Sequence, residues 1–423
     1  MFKKFIQKRL ESYAKKYLAK HQPKLILVTG SVGKTSTKLA IATVLSEKLR
    51  VRVHKGNHNS ELSVPLAILG IDYPDNIRSL GGWLKVRQAA RERVGEATSD
   101  CDVIVQELGT DKPGDIPHFA SYLTADIAVI TAVSPEHMGF FKTIDVVAEE
   151  ELAVARFSRQ TLINRDDIDG RFARDIATPN IDTYGLGGIA EYRFETADSS
   201  LTGASGAFIM ASHDEIPASL KVASESGIKA AVAAAFVGQT LGLDANQIAA
   251  GAAKISAPPG RMNILRGLEQ SIIIDDTYNS SPLALAAALE ALYKQSAPQR
   301  IAILGDMNEF GEASRAAHEK AGALCNPELL DWVVTIGPES KKYLAPAAQK
   351  RGCQVKSFDD PLSAGAFVHK ILEEHAVVLA KGSQNGIYAE EALKILLHDT
   401  EDESQLVRQT PAWLAKKHKQ FAK

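Results

Sequence analysis

The sequence predicts an α/β protein in which a P-loop-type domain with a central parallel sheet is followed by a Rossmann-like C-terminal α/β domain. Three observations carry that prediction. An apolar run, LILVTG, passes through the glycine turn SVGKTS into the helical stretch TKLAIATVLSEKL. Further short apolar runs, DVIVQEL (102–108), ADIAVITAV (125–133) and QTLIN (160–164), alternate with helical patterns. Alternation of this kind implies parallel strands covered by helices on both faces. After APPGR (257–261) a second series runs SIIIDD, RIAILGD, DWVVTIG and HAVVLAKG, again with helices between.

The chain has 423 residues, too many for one compact core, so more than one domain is expected. Residues 1–22 read as a basic amphipathic helix with Phe2, Phe5, Ile6, Leu10, Tyr13 and Tyr17 on one face. That helix either docks on its own domain or lies on an anionic membrane surface. The first α/β domain then covers 23–257, with its end set by the Pro258–Pro259 pair, and the second covers 258–400. The stretch 186–224, rich in Gly, Ser and Ala, reads as a small β subregion, and residues 401–423 as a charged tail without pattern.

Composition narrows the class further. At 45% hydrophobic, 24% charged and net charge −2, the chain has no general attraction to nucleic acid. Its three cysteines, Cys101, Cys325 and Cys353, are widely spaced and odd in number, which argues against a disulfide framework and fits a reducing cytoplasm. The longest apolar run, IKAAVAAAFVG, falls short of the roughly 20 residues of a membrane span and reads as a buried helix.

The chemistry begins at TGSVGKTS (29–36). Glycines between a strand and a helix let backbone N–H groups converge on phosphate oxygens at the helix N-terminus. Gly30, Ser31, Gly33, Lys34, Thr35 and Ser36 are therefore the expected triphosphate contacts, with Lys34 reaching the terminal phosphates and Thr35 holding Mg²⁺. The loop is shorter than the G-x-x-x-x-G-K form, because Val28 stands where that pattern has its first glycine. Three later segments add polar candidates at strand ends: GNHNSELSVPLAIL (56–69) supplies Asn57 and Asn59, VIVQELGTDKPGDI (103–116) supplies Glu107, and SPEHMGFF (134–141) supplies His137. The helical stretch KTIDVVAEEELAVARF poses a further question. On a helical wheel Glu149 points away and Glu150 sits on the flank. Glu151 falls within the apolar stripe of Val147, Ala148, Leu152 and Ala155, where an unpaired carboxylate is costly.

Taken in order, TGSVGKTS, GNHNSELSVPL, ELGTDKPGDI, SPEHMGFF, LINRDD, PPGRM, IDDTYNSSP, LGDMNEFGE and KGSQN resemble the motifs of the Mur ligases, from about residue 25 to 397. DDTYNSSP followed by LGDMNEFGE is similar to the branch that adds D-alanyl-D-alanine to UDP-MurNAc-tripeptide in peptidoglycan precursor synthesis. The resemblance implies an ADP-forming amide ligase in which ATP activates a substrate carboxylate as an acyl phosphate that an amine then attacks. It implies Thr35 and Glu107 at one Mg²⁺, and His137 at a second, shared with Glu151 in place of a carbamylated lysine. Asn57 and Asn59 would line the substrate and metal loop. Tyr278 and Asn279 would border adenine, with Arg261 and Asp276 in the same nucleotide pocket, while Lys381 and Ser383 would face the substrate. In the family the nucleotide lies between the α/β domains, whose closure excludes water. Small-molecule substrates and a monomer are the expected partners and state.

Some positions depart from the family pattern. ESGIK (225–229) replaces an H-N-x-x-N stretch, Gln384 replaces an arginine, and Ser60 replaces an asparagine. The phosphate loop starts at residue 30, leaving room for one helix ahead of it rather than the family's UDP-gripping domain. A second expectation follows: a Mur-like ligase acting on a lipid-linked or other non-UDP acceptor, as folylpolyglutamate and poly-γ-glutamate synthases do. A nucleotide-binding module without catalysis is the third, and the retained Lys34, Glu107 and His137 argue against it.

Overall fold

The structure is a computed structural model that describes residues 2–173, 176, 180–308, 310–384 and 386–421. Glu309 of LGDMNEFGE, Asn385 of KGSQN, the ends of the chain and the Phe2 side chain lie outside the described residues. The chain divides into two compact units: Met1–Ser134 with Phe140–Ile255, and Pro135–Gly139 with Ser256–Lys423.

In the first unit the strands are β1 (Lys24–Thr29), β2 (Val51–Val53), β3 (Val103–Glu107), β4 (Ala125–Ile130), β5 (Ser158–Asn164), β6 (Ile181–Gly185), β7 (Tyr192–Ser200), β8 (Gly203–Ile209) and β9 (Glu215–Leu220). They form one sheet in the order β2-β3-β1-β4-β5-β6-β7-β8-β9, parallel from β2 to β7 and antiparallel beyond. The Gly/Ser/Ala-rich stretch is thus a β subregion, as expected, joined to the same sheet. It extends the sheet as two hairpins, and Gly206 lets β8 approach β7, since a Cβ there would stand 2.0 Å from Glu195 O. β1 and β3 are buried almost throughout, as their continuous apolar sequences require. The helix Lys34–Leu45 packs on Glu225–Thr240, whose residues 228–238 are all buried. Helix Ala245–Ala252 lies on the first of these through Gly251, where a Cβ would meet Val44 Cα at 2.7 Å.

The N-terminal helix Phe2–His21 docks on its own unit. Ile6, Leu10, Ala14 and Tyr17 are buried, each large apolar side chain contributing about 1.5–3 kcal/mol. The buried stripe is rotated from the expected one: Phe5 is 47% exposed, while Gln7 and Glu11 are buried. The rotation follows from polar partners, because Glu11 Oε1 lies 2.7 Å from His118 Nε2 and accepts from Gln7 at 2.9 Å. Tyr17 Oη donates to Asp100 (3.2 Å) and accepts from Arg52 (2.9 Å). Lys20 donates to the carbonyls of Val94 (2.9 Å), Gly95 (3.1 Å) and Glu96 (2.7 Å), completing the carboxyl end of helix Leu80–Gly95.

The second unit holds β10 (Asn263–Arg266), β11 (Ile272–Asp276), β12 (Arg300–Gly305), β13 (Trp332–Ile336), β14 (Val355–Phe358) and β15 (Val377–Lys381). Their order is β10-β11-β15-β12-β13-β14, parallel except for β10. The last strand sits mid-sheet, so β11 and β12, adjacent in sequence, part around it. Residues after 400, where the sequence shows no pattern, fold as a 3₁₀ turn (Thr400–Gln405) and the helix Pro411–Phe421. Trp413 and Phe421 meet the buried Tyr388 edge-on, with centroids 6.2 and 6.1 Å away. Lys417 is buried against Glu390 (3.0 Å) and Glu391 (2.5 Å). Among the described residues, no helix is long and apolar enough to cross a membrane.

Candidate active-site residues

In the first unit the phosphate loop, the Asn57–Asn59 loop and Glu107 stand at or just after the carboxyl ends of strands, where open α/β sheets bind ligands, and Glu151 reaches the loop from a helix. β1 feeds the loop Gly30–Gly33 into helix Lys34–Leu45. Gly30 has φ 124°, and a Cβ there would stand 2.3 Å from Thr131 Oγ1 and 2.7 Å from Ala132 N, so the loop needs glycine for both conformation and space. Gly33, with φ 88°, turns the chain into the helix. The segment that follows β4 braces the loop: Ser31 N donates to Ala132 O (2.9 Å), and Thr131 Oγ1 lies 2.5 Å from Val32 O. Lys34 Nζ donates to Gly30 O across the loop it opens. Thr35 is buried at the first turn, and Ser36 is half-buried beside it.

One helical turn on, Lys38 is a residue that the motif reading misses. Its Nζ lies 3.0 Å from Glu107 Oε2, and each side chain is only 1% exposed. It also donates to Gly56 O at 2.9 Å. A single buried ammonium thus ties the end of β3 to the loop that carries Asn57 and Asn59. Asn59 Nδ2 donates to Asn57 Oδ1 (3.0 Å), and Gly109 N donates to Asn59 O (2.8 Å). Gly109 leaves room for the Asn59 amide, which a Cβ there would meet at 2.7 Å and displace. Gln106 Nε2 donates to His58 O at 2.5 Å. His58 stacks on His54 at 3.4 Å, and its pKa is lowered to about 4, by burial first and then by the facing His54. The sequence signal for Lys38 is a lone cation inside the apolar run of a buried helix.

The glutamate trio resolves differently from the wheel. Glu149 is exposed, as expected, but Glu150 is buried rather than solvated on the flank. It accepts from Gly114 N (2.7 Å), Ile116 N (2.6 Å) and Thr110 Oγ1 (3.2 Å), satisfying N–H groups at the start of helix Asp115–Phe119. A wheel cannot show that acceptor demand, because it comes from another segment. Glu151 is fully buried and accepts from the Thr29 hydroxyl and, at 2.8 Å, from Gly30 N. Its partner in the structure is therefore the phosphate loop, while Arg156, the nearby cation, is exposed. His137 lies in the short segment Pro135–Gly139 that groups with the second unit, and adopts φ 43°.

The LINRDD segment closes the same edge. Asn164 Nδ2 donates to Thr131 O and to Asp167, both at 2.7 Å. At the position where ESGIK departs from the family pattern, Lys229 is buried and meets Asp167 at 2.8 Å and Asp166 at 3.5 Å.

In the second unit, β11 ends in two adjacent carboxylates. Asp276 takes Lys381 Nζ at 2.5 Å, and the same ammonium donates to Asn279 O at 3.0 Å. Asp275 is wholly buried, accepting from Gly260 N (2.9 Å) and the Thr277 hydroxyl (2.5 Å), and burial pushes its pKa up to about 7. Arg261 sits 4.1 Å over the Tyr278 ring. Asn279 is exposed and Tyr278 half-buried, so that face is open to a ligand. Lys381 and Ser383, expected to face the substrate, are enclosed instead: Ser383 Oγ accepts from Asn308 N at 2.8 Å, and both side chains order loops. Arg408, from the segment expected to be a loose tail, donates to the carbonyls of Thr277 (2.7 Å) and Tyr278 (3.0 Å) and forks onto Glu390 (2.6 and 2.8 Å).

The donor set fits a magnesium ion only in part by protein groups. Among the described residues no three His, Cys, Asp or Glu side chains gather as a metal site. Glu107 Oε2 faces Lys38, while Oε1 has no hydrogen-bond partner among those residues, so one buried carboxylate oxygen remains open. Magnesium is commonly held by one or two protein groups with phosphate oxygens and water, and Thr35 with Glu107 suits that mode.

A glycine-shaped phosphate loop on one parallel sheet, with a carboxylate–lysine pair on a second Rossmann-like sheet, defines a nucleotide-handling α/β protein of two units. Residues 28–238 match the Mur ligase middle domain and residues 260–384 the Mur ligase glutamate ligase domain, and the chain belongs to the Mur ligase family. It is 25% identical over 329 residues to the UDP-N-acetylmuramoyl-tripeptide--D-alanyl-D-alanine ligase of Bacillus subtilis, covering 78% of this chain and 66% of that one. The chain therefore spans just under two thirds of that relative's length. Its fold is similar to MurF of Thermotoga maritima in complex with ADP (TM-score 0.75, 23% identity, 94% of this chain and 84% of that one). MurF of Acinetobacter baumannii is similar too (TM-score 0.74, 23% identity, 91% and 78%).

Proposed function

We propose that the protein is an ATP-dependent, ADP-forming amide ligase that adds D-alanyl-D-alanine to UDP-MurNAc-tripeptide. The observation that carries this reading is the Lys38 hub, which couples the phosphate loop's own helix to Glu107 and to the Asn57–Asn59 loop. A simple nucleotide binder has no need to tie a substrate-side loop to its phosphate site. The chemistry this set can do is positional and electrostatic. Loop N–H groups and Lys34 stabilise charge on a phosphoryl group in transfer, while Asn57 and Asn59 orient the carboxylate that receives it. Thr35 and Glu107 would hold Mg²⁺, which supplies charge neutralisation between two anions. His137 and Glu151 are assigned to a second cation. Arg261, Tyr278 and Asn279 offer a cation and a π face for the nucleoside, with Asp276 and Lys381 holding that loop in place. Three buried, unpaired thiols suit a reducing cytoplasm, and we read the protein as a monomer.

The test is phosphate release and product mass with ATP, Mg²⁺, UDP-MurNAc-tripeptide and D-alanyl-D-alanine. Release that needs both substrates, with a product heavier by the dipeptide, is the expected result. Inertness with this pair and turnover of a lipid-linked acceptor would move the substrate assignment, and release without either substrate would leave a bare ATPase. Glu151→Gln separates its two roles: a cation ligand shifts the Mg²⁺ dependence of activity, whereas a group that only holds Gly30 leaves that dependence unchanged.

A further inference from the structure

The candidate site leaves one charged surface unexplained. Every cation of helix Phe2–His21 is exposed: Lys3, Lys4, Lys8, Arg9, Lys15 and Lys16, with Lys20 at the end. The helix's single acid, Glu11, is turned inward against His118. Seven cations and one acid give the helix +6 in a chain of net −2, so all other residues together carry −8. A face meant only for solubility would follow the sign of the chain or mix both signs.

A second helix, packed against the first, carries exposed apolar side chains of its own. Leu80–Gly95 packs beside the N-terminal helix, which holds its carboxyl end through Lys20. Its inner side buries Trp83, Val86 and Ala90. Its outer side leaves Leu80 62% and Leu84 55% exposed, one turn apart on a ridge that continues into Arg87 and Arg91, and Ile77 just ahead is 65% exposed. Lys85 and Arg78 flank them, also exposed. Phe5 on the N-terminal helix is likewise outside its buried stripe.

We propose that these two helices seat the protein on an anionic lipid bilayer, cations at headgroup level and Leu80, Leu84, Ile77 and Phe5 in the interface. The mode differs from insertion of the N-terminal helix's apolar stripe. That stripe is already occupied by the protein's own core, so the seat forms without undocking the helix. Bulky aliphatic side chains among the cations favour a bilayer over a nucleic acid, whose phosphate backbone offers them nothing to contact. The surface is independent of the ligase reading and stands or falls separately.

The full chain is to be floated with phosphatidylcholine vesicles, with and without phosphatidylglycerol. Binding to the anionic vesicles alone, at ionic strength near ~0.1 M and lost near ~1 M, is expected. Replacing Lys3, Lys4, Lys8 and Lys16 together by Gln lowers partitioning at least about tenfold, and Leu80→Ser with Leu84→Ser lowers it severalfold. Both variants should melt as the parent does, because every altered side chain is exposed. Equal binding to neutral vesicles, parent-like binding by both variants, or binding to RNA with no vesicle binding would each overturn the proposal.

Discussion

The two units solve the same problem at opposite ranges in the chain. Each ends a buried strand in a carboxylate and answers it with a buried lysine: Glu107 with Lys38 in the first, Asp276 with Lys381 in the second. In the first unit that lysine stands one turn beyond the phosphate-loop lysine, so loop, helix and counter-ion come from a single short segment. In the second the partners are 105 residues apart, and the loop between β11 and its helix is clamped by Arg408 from beyond residue 400. The first arrangement is set by glycine geometry and local sequence. The second depends on the whole unit having folded.

Breaking the pairs exposes that difference most strongly. Lys38→Met or Glu107→Leu alone strands a buried charge and should cost about 3–5 kcal/mol, whereas the double variant should recover much of it. Denaturant titration of the three variants measures the coupling, and additive losses would refute it. Asp275 gives the second unit a pH signature. Burial raises its folded pKa to about 7, so the folded state holds a proton that the unfolded chain has released. Its contribution is present at low pH and falls away as pH rises from about 4 to 7, by up to about 4 kcal/mol. Asp275→Asn should lack that slope, and melting curves across the window check it.

Arg408→Met should destabilise by about 1.5–3 kcal/mol through its lost charged hydrogen bonds to the Thr277 and Tyr278 carbonyls and to Glu390, which keeps Lys417 as a partner, and raise the KM for ATP more than it lowers kcat. Equal effects on both would make Arg408 merely structural. Gly30→Ala should weaken ATP binding about a hundredfold, or about 2.7 kcal/mol, as calorimetry would show, and its positive φ and contact with Ala132 N should cost on the order of 1–3 kcal/mol of stability as well. The smallest effect concerns His58. Its folded pKa is depressed, so it opposes protonation as pH falls from 6.5 toward about 4. His54→Ala should raise the His58 midpoint in an NMR titration modestly, since burial is the larger cause.

Legibility in the sequence follows the same division. The strands of both series, the phosphate loop, Asn57, Asn59 and Glu107 all stand at strand ends where periodicity and glycine spacing point to them. Short edge strands such as β2 and β14 have too few residues to show a period. Glu150 and Lys38 look like ordinary helix residues until the segments they satisfy are folded against them. Lys229 and Arg408 are fixed by ion pairs that no local pattern encodes. The docked tail was invisible because its helix buries few apolar groups and is held mainly by Lys417 and the rings around Tyr388.

The claim that most depends on all of this is that the Gly30–Thr35 loop receives a triphosphate beside Glu107. A crystal soaked with ATP analogue and Mn²⁺, with anomalous data at the manganese edge, tests it directly. The account predicts phosphates over the loop N–H groups, Lys34 released from Gly30 O to meet them, and manganese coordinated near Thr35 and Glu107. A triphosphate bound away from Lys34, or manganese only at remote surface carboxylates, would contradict it.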